Sequence, residues 1–415
     1  MLLLSVLLLP TETLAQGGGG SSNRVDNAAP TGAPLSSAAT ETQVDILTSY
    51  YQQDGNHGAV MGGIGTQHLT DVTPTIIVNI PLDTISRLTA NVGADFYASA
   101  STDRIDYVLS TPSSSDVRYH ADFSYLRQRP ALRQQVGYGG GVSKEYDYLS
   151  FNATGLWTQT SRNGNRDFSA AGQVYIDQAK LIYPIELRNG SALLPTNKRQ
   201  SYNLTLVLAQ VVNQKVQVAL STELVYQHGL LSTPFHRVYF RDNNSATGAP
   251  VAKLEKLPMQ RFKFPVGLRV NYYATDLVLL RGFYRFYNDN FGITAHTVEL
   301  EAPVKLSPFF VLYPFYRYHH QTAAKYFAAY ADHSVLDDYY TSDYDLAGFT
   351  AHKVGLGARY SPVYGLGRFK TPLHDTRGNS RVAMFKAIDL RYAHYTQTTG
   401  LTANIVSVDF SFTMP

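Results

Sequence analysis

From Val44 onward, apolar and polar positions alternate with a period of two. In one segment Val72, Pro74, Ile76, Val78 and Ile80 alternate with Asp71, Thr73, Thr75, Ile77 and Asn79. In the next, Leu88, Ala90, Val92, Ala94 and Phe96 alternate with Arg87, Thr89, Asn91, Gly93 and Asp95. Successive side chains of a strand point to opposite faces, so each segment carries one apolar and one polar face. Alternation over ~10 residues predicts a strand that faces lipid on one side and a polar lumen on the other. Pro74 has no N–H to give to a ladder, which predicts a bulge there.

Sixteen such segments are legible: 44–52, 67–80, 86–98, 116–127, 132–144, 146–160, 166–180, 199–210, 214–228, 260–273, 276–289, 292–303, 308–320, 347–360, 382–396 and 401–413. Short turns fall at Leu82-Asp83-Thr84, Arg129-Pro130-Ala131, Asn163-Gly164-Asn165, Val212-Asn213-Gln214, Ala274-Thr275 and Pro303-Val304. Long connections fall on the other side, at 53–66, 99–115, 181–198, 229–259 and 321–346. Short periplasmic turns opposite long external loops are the asymmetry of an outer-membrane barrel. The fold class expected is therefore all-β, a transmembrane antiparallel up-and-down barrel of about 16 strands. Fourteen is the alternative, reached if the first hairpin folds inward. Connection 361–381 is too long for a periplasmic turn and predicts an extra strand or a short plug. Only Ala323–Ala331 reads as helix-like.

The composition agrees with alternation rather than with apolar blocks. Hydrophobic residues make up 44% of the chain, with 30 Tyr and 20 Phe, yet the mean hydropathy is −0.17. Aromatics near strand ends, at Tyr146, Tyr148, Trp157, Tyr202, Tyr226, Tyr272 and Tyr395, predict interfacial girdles. The final strand ends its apolar face on Val406, Val408, Phe410 and Phe412. No run reaches the ~20 apolar residues of a membrane helix. The run Leu2–Leu9, followed by Leu14-Ala15, reads as a signal peptide over 1–15. Residues 16–43, rich in Gly, Ser, Ala and Thr, read as a disordered linker, and 44–415 as the barrel. A net charge of +3 offers no basis for binding nucleic acid. The absence of Cys excludes thiolate metal sites, disulfides and a thiol nucleophile.

Several runs carry a family resemblance. They are Ser49–Val60, Gly62-Gly63-Ile64-Gly65-Thr66, Gly141–Tyr148, Lys180–Arg188 and Tyr339–Leu346. Over Val44 to the C-terminus the chain resembles an uncharacterised domain-of-unknown-function family of Bacteroidetes-type outer-membrane β-barrels. The resemblance implies the fold and the cell outer membrane, and names no chemistry. It also implies an envelope partner such as a small lipoprotein, beside the lipid of the outer membrane itself.

Candidate chemistry lies in two places. The apolar faces of 276–289 and 292–303 leave Arg281, Arg285, Glu299 and Glu301 on the lumen side, with Lys263 and Arg269 extending the basic wall. A turn centred near Asn290 would set Arg281 opposite Glu299. Such a wall either selects permeants or closes the lumen by pairing its charges. The second place is the external loops. Asp337, Asp338, Asp343 and Asp345, four hard oxygen donors within nine residues, are candidate calcium ligands. His57, His319, His320 and His333 are candidates for a transition metal. No nucleophile-elbow motif is present, so no catalytic residue and no enzymatic activity are expected. Two functions follow: a channel or transporter for a small solute, or a non-conducting scaffold or receptor whose loops bind a partner protein, ligand or metal ion.

Overall fold

The computed structural model describes residues 41–100, 115–187, 195–241, 250–374, 378 and 380–414. The expected signal peptide and residues 16–40 of the expected linker lie outside the described residues. Linker positions Thr42 and Gln43 already belong to the first strand, where Gln43 pairs with both Asn79 and Thr413.

The strands are Thr42–Asp54 (β1), His68–Pro81 (β2), Ser86–Ala100 (β3), Ser115–Arg129 (β4), Gln134–Lys144 (β5), Tyr148–Thr160 (β6), Arg166–Lys180 (β7), Thr196–Val211 (β8), Val216–Gly229 (β9), Arg237–Phe240 (β10), Val251–Leu254 (β11), Gln260–Tyr273 (β12), Leu279–Asp289 (β13), Thr294–Glu301 (β14), Val304–Ser307 (β15), Phe310–Gln321 (β16), Phe349–Tyr360 (β17), Gly367–His374 (β18), Ser380–Gln397 (β19) and Thr402–Met414 (β20). All but β10 and β11 join one sheet. It closes where β1 pairs with β20, from Thr42 opposite Met414 to Asp54 opposite Thr402. Every strand pairing in this sheet is antiparallel, and apart from the closing β1–β20 pair each joins staves that follow one another in the chain, so the sheet is an up-and-down barrel.

Sixteen staves make the wall. Two of them are interrupted. β15 continues the course of β14: Glu301 pairs with Phe315 and Val304 with Leu312, in one unbroken register. Pro303 removes a ladder donor without reversing the chain, so the turn expected at Pro303-Val304 lies instead at Pro308-Phe309. β18 extends the edge that β17 leaves after Tyr360, pairing with the lower part of β19. Connection 361–381 thus holds the extra strand and not a plug. The expected bulge at Pro74 is absent: the β2–β3 register is the same at Val72–Phe96 and Thr75–Gly93, and only the intervening pairs lapse. Ala323–Ala331 is not helical.

One face of each stave turns outward. Ile76, Val92, Phe123, Phe151, Ile176, Leu204, Leu220, Leu268, Leu300, Val354 and Leu390 are exposed large apolar residues from eleven staves. In water this would be an unstable surface; in hydrocarbon it is the driving contact. The opposite face buries polar side chains, among them Ser169, Asp177, Asn203, Glu223, Arg261 and Lys263. Tyr148 and Tyr395, expected in an aromatic girdle, belong to this inner face: Tyr148 accepts from Arg199 Nη2 at 2.6 Å, and Tyr395 donates to Gln397 at 2.9 Å.

Candidate functional site

The inner wall from β12 to β19 is a lattice of charge pairs. Arg281 stands directly opposite Glu301, and its Nη1 donates to Glu301 Oε1 at 2.7 Å. Glu299 stands opposite Phe283 and accepts from Arg317 Nε of β16 at 2.6 Å. The expected Arg281–Glu299 pair is therefore corrected by two residues. The β13–β14 turn is centred on Phe291, one residue later than Asn290, which slides the register by two and leaves every side chain on its expected face. Arg391 of β19 lies 3.9 Å from Glu301 and 4.0 Å above the Phe315 ring. Arg359 lies 3.8 Å from Asp389, which also accepts from the Tyr313 hydroxyl. Arg269 covers the Phe283 ring at 5.1 Å. Lys263 is buried and shares with Arg285 the surroundings of buried Glu223. All six lumen candidates thus fall on one wall. Arg281, Glu299 and Glu301 are paired, because an ion removed from water needs a counter-ion close by, whereas buried Lys263 lies near the like charges of Arg261 and Arg285.

Above this wall the long connections at one end of the barrel fold into each other. Counting around the barrel, the β1–β2 connection and the β9–β12 connection are eight staves apart of sixteen, on opposite sides of the mouth. Strand spacing and tilt put opposite walls of such a barrel about 30 Å apart. Yet the loops touch. Arg237 Nη1 of β10 donates to the Val60 carbonyl at 2.9 Å. The same guanidinium binds Glu186, from the β7–β8 connection, with Nε–Oε1 at 2.5 Å. Gly62 and Gly63 take φ of +74° and +85°; a Cβ on Gly62 would sit 2.5 Å from the Tyr239 ring, and one on Gly63 2.8 Å from the Ser342 carbonyl. His57 stacks on Tyr344 with ring centroids 3.7 Å apart. Four connections therefore meet across the mouth as a cap.

The cap has its own apolar core. Leu231, Leu257, Phe291, Ile293, Ala324 and Leu346 form one buried cluster. Val238, Phe240 and Tyr340 form another. Short bridges bind the pieces, Phe240 to His333 and Lys256 to Tyr340. Four of the five runs that carry the family resemblance contribute to this contact surface.

Within the cap, three titratable residues converge. His236 Nδ1 lies 3.7 Å from Glu255 Oε1 and 3.8 Å from Asp343 Oδ2. The side chains of His236 and Glu255 are 8% and 2% exposed. Glu255 is held by the Thr341 hydroxyl at 2.5 Å and by the Thr233 amide at 2.6 Å. Thr341 Oγ1 in turn accepts from the Asp343 amide at 3.0 Å. Desolvation, followed by repulsion from Asp345 and Glu255, pushes the Asp343 carboxyl up to about 7, against the pull of His236. Burial pulls the His236 imidazole down, but Glu255, Asp343 and Asp345 outweigh it and leave it raised. Desolvation likewise raises Asp345, which keeps an exposed surface within this crowded corner.

The four carboxylates expected to act together are divided. Asp343 and Asp345 join the cluster with His236 and Glu255. Asp337 instead accepts from the Ser334 amide at 3.0 Å and lies 3.4 Å from His333, while Asp338 is exposed on the surface. The four carboxylates expected as calcium ligands are thus not brought together: Asp337 Oδ2 closes its own local turn, away from the corner that Asp343 and Asp345 share. The four candidate histidines do not gather either. His319 contacts Thr297, His320 contacts Thr350, and His333 Nε2 contacts the Thr341 carbonyl.

Residues 5–361 match the family described as "Protein of unknown function (DUF3570)". The chain belongs to this family. The match begins earlier than the expected Val44 and ends at Ser361, short of the last strands. No curated protein matches it. Among solved structures it is similar to a bacterial polysaccharide outer membrane secretin, at 10% identity and TM-score 0.44, covering 90% of this chain and 98% of that one. It is similar to the TodX deltaS2S3 mutant monoaromatic hydrocarbon channel at 11% identity and TM-score 0.42, covering 96% and 95%. It is also similar to OccD3 (OpdP) of Pseudomonas aeruginosa at 7% identity and TM-score 0.40, covering 92% and 96%.

Proposed function

We propose that this protein is an outer-membrane channel or transporter for a small polar solute, with its external mouth covered by the folded loop cap. One observation carries the reading: the wall closes with sixteen staves and presents a polar, ionised inner face beneath an apolar outer one. A barrel of about eight strands is narrow enough for side chains to fill, whereas one of sixteen to eighteen holds an aqueous passage. The paired signs on the β12–β19 wall argue for a permeant that is polar without a strong net charge. Its lipid contact is the outer apolar belt, and an envelope lipoprotein is the partner this reading would look for beside the cap or the rim. No step of it requires a catalytic residue.

The cap favours a second reading, a non-conducting scaffold or receptor, because loops from opposite sides of the mouth share buried contacts. Single-channel recording of the purified protein in planar bilayers separates the two. Discrete conductance steps support the channel. A protein that inserts, stays heat-modifiable and never conducts, even after the cap is cut by protease, is a scaffold.

A further inference from the structure

The cap contains a donor set that neither passage nor lipid contact uses. His236, Glu255 and Asp343 bring one imidazole nitrogen and two carboxylates within 4.8 Å of one another. Acidic clusters alone say little. Here, however, His236 is 6% exposed and its Nδ1 is buried without a hydrogen-bond partner. At 3.7 and 3.8 Å from the two carboxylate oxygens it is too far to donate and too close to ignore them. A buried polar atom left bare is costly, and its neighbours are acceptors aimed at the same point.

We propose that His236, Glu255 and Asp343 bind a divalent first-row transition metal of the zinc class, which staples the β9–β12 connection to the β16–β17 connection. Metal–ligand bonds of about 2.0–2.2 Å in a tetrahedron place ligand atoms about 3.3–3.6 Å apart. The two separations from His236, 3.7 and 3.8 Å, need to close by only a few tenths of an ångström, and the two carboxylate oxygens, within 4.8 Å of each other, by about an ångström at most. A nitrogen donor with few oxygens suits zinc, cobalt or iron(II), whereas calcium wants six to eight oxygens. The surroundings are those of a metal ligand shell. Thr341 donates to Glu255 and accepts from the Asp343 amide, and Asp343 Oδ1 is taken by the Asp345 amide at 3.0 Å, which leaves Oδ2 for the metal. The proposal does not rest on conduction, since a scaffold would be stapled in the same way.

The test uses the full chain refolded in detergent, with Zn2+ or Co2+ alone as the probe. One equivalent of metal should remain after dialysis, and Co2+ should show the intense visible absorption of a four-coordinate site. Asp343→Asn and Glu255→Gln keep size and shape; each should weaken affinity by on the order of a hundredfold or more, beyond what loss of an outer-shell partner costs. Heat-modifiability on gels verifies the barrel in each variant. If a variant does not fold, the wild-type cobalt spectrum decides: a weak, six-coordinate spectrum overturns the site. It is overturned equally by failure to retain metal, by binding indifferent to both substitutions, or by calcium displacing zinc at equal concentration.

Discussion

Asp289→Asn is expected to unfold the outer end of β12 and β13 more readily by about 3 kcal/mol. Asp289 and Arg261 are both fully buried on the inner face, with side-chain exposures of 0% each. Asp289 accepts from Arg261 Nε at 2.9 Å and from the Tyr287 hydroxyl at 2.7 Å, while its Oδ1 takes the Ile293 amide at 3.0 Å and so closes the β13–β14 turn. The Arg261 guanidinium also lies 4.5 Å over the Phe291 ring, part of the cap core. Removing one partner of a buried ion pair costs about 3–5 kcal/mol, because the other charge stays in place without compensation. Asparagine keeps an oxygen for Ile293, and Phe291 keeps its hold on Arg261, which places the expectation at the lower end. Arg261→Met alone should cost a similar amount, for the mirror-image reason. The double variant should recover to within about 1–2 kcal/mol of wild type, since one charge of each sign is removed and Lys263, opposite Asp289, loses a like charge in Arg261 together with its counter-charge. The assay is urea unfolding in lipid vesicles, followed by the gel shift of the folded band and by emission of Trp157, the single tryptophan. An Asp289→Asn variant within 1 kcal/mol of wild type, or a double variant as unstable as the sum of the singles, refutes the reasoning.

Gly62→Val should loosen the cap by about 1–2 kcal/mol, because a β-branched residue at φ +74° is strained and its Cβ meets the Tyr239 ring; faster proteolysis of 55–67 with an intact barrel band is the expected readout, and unchanged proteolysis contradicts it. Without metal, cap stability should fall as pH rises from about 4 to about 7. The folded Asp343 carboxyl is raised, so below that window it is protonated and tolerated, and above it a carboxylate must persist beside Glu255 and Asp345; protease protection that increases over this range would count against it. Arg281→Glu should shift reversal potentials toward cation selectivity in a salt gradient, as it leaves Glu301 facing a like charge; conductance with unchanged selectivity would mean that this wall is not the constriction. Leu300→Arg on the lipid face should destabilise by ~2–4 kcal/mol if that position is near the bilayer midplane; tolerance of the charge in vesicles would argue that Leu300 does not meet hydrocarbon.

Period-two alternation determined much of this protein by itself. It marks all sixteen staves and their faces, because a side chain's face depends only on its parity along the strand. Arg281, Arg285, Glu299, Glu301, Lys263 and Arg269 were assignable to the inner wall for that reason alone. Which of them meet was not, since register depends on turn geometry, and a turn centred on Phe291 moved Glu299 from Arg281 to Arg317. Pro303 looks like a turn in sequence, but the ladder on either side of it carries the strand straight through. The cap was still less legible. Asp343 and Asp345 stood out as carboxylates in one run, and their company suggested Asp337 and Asp338. Their actual neighbours, His236 and Glu255, lie about 90 to 110 residues earlier in a different connection. No periodicity links two loops; they meet because the closed wall brings their ends around one mouth, and the apolar residues Leu231, Leu257, Phe291 and Leu346 pack there out of water. Local alternation therefore specified the barrel, and only closure in three dimensions decided which charges pair and which loop residues converge.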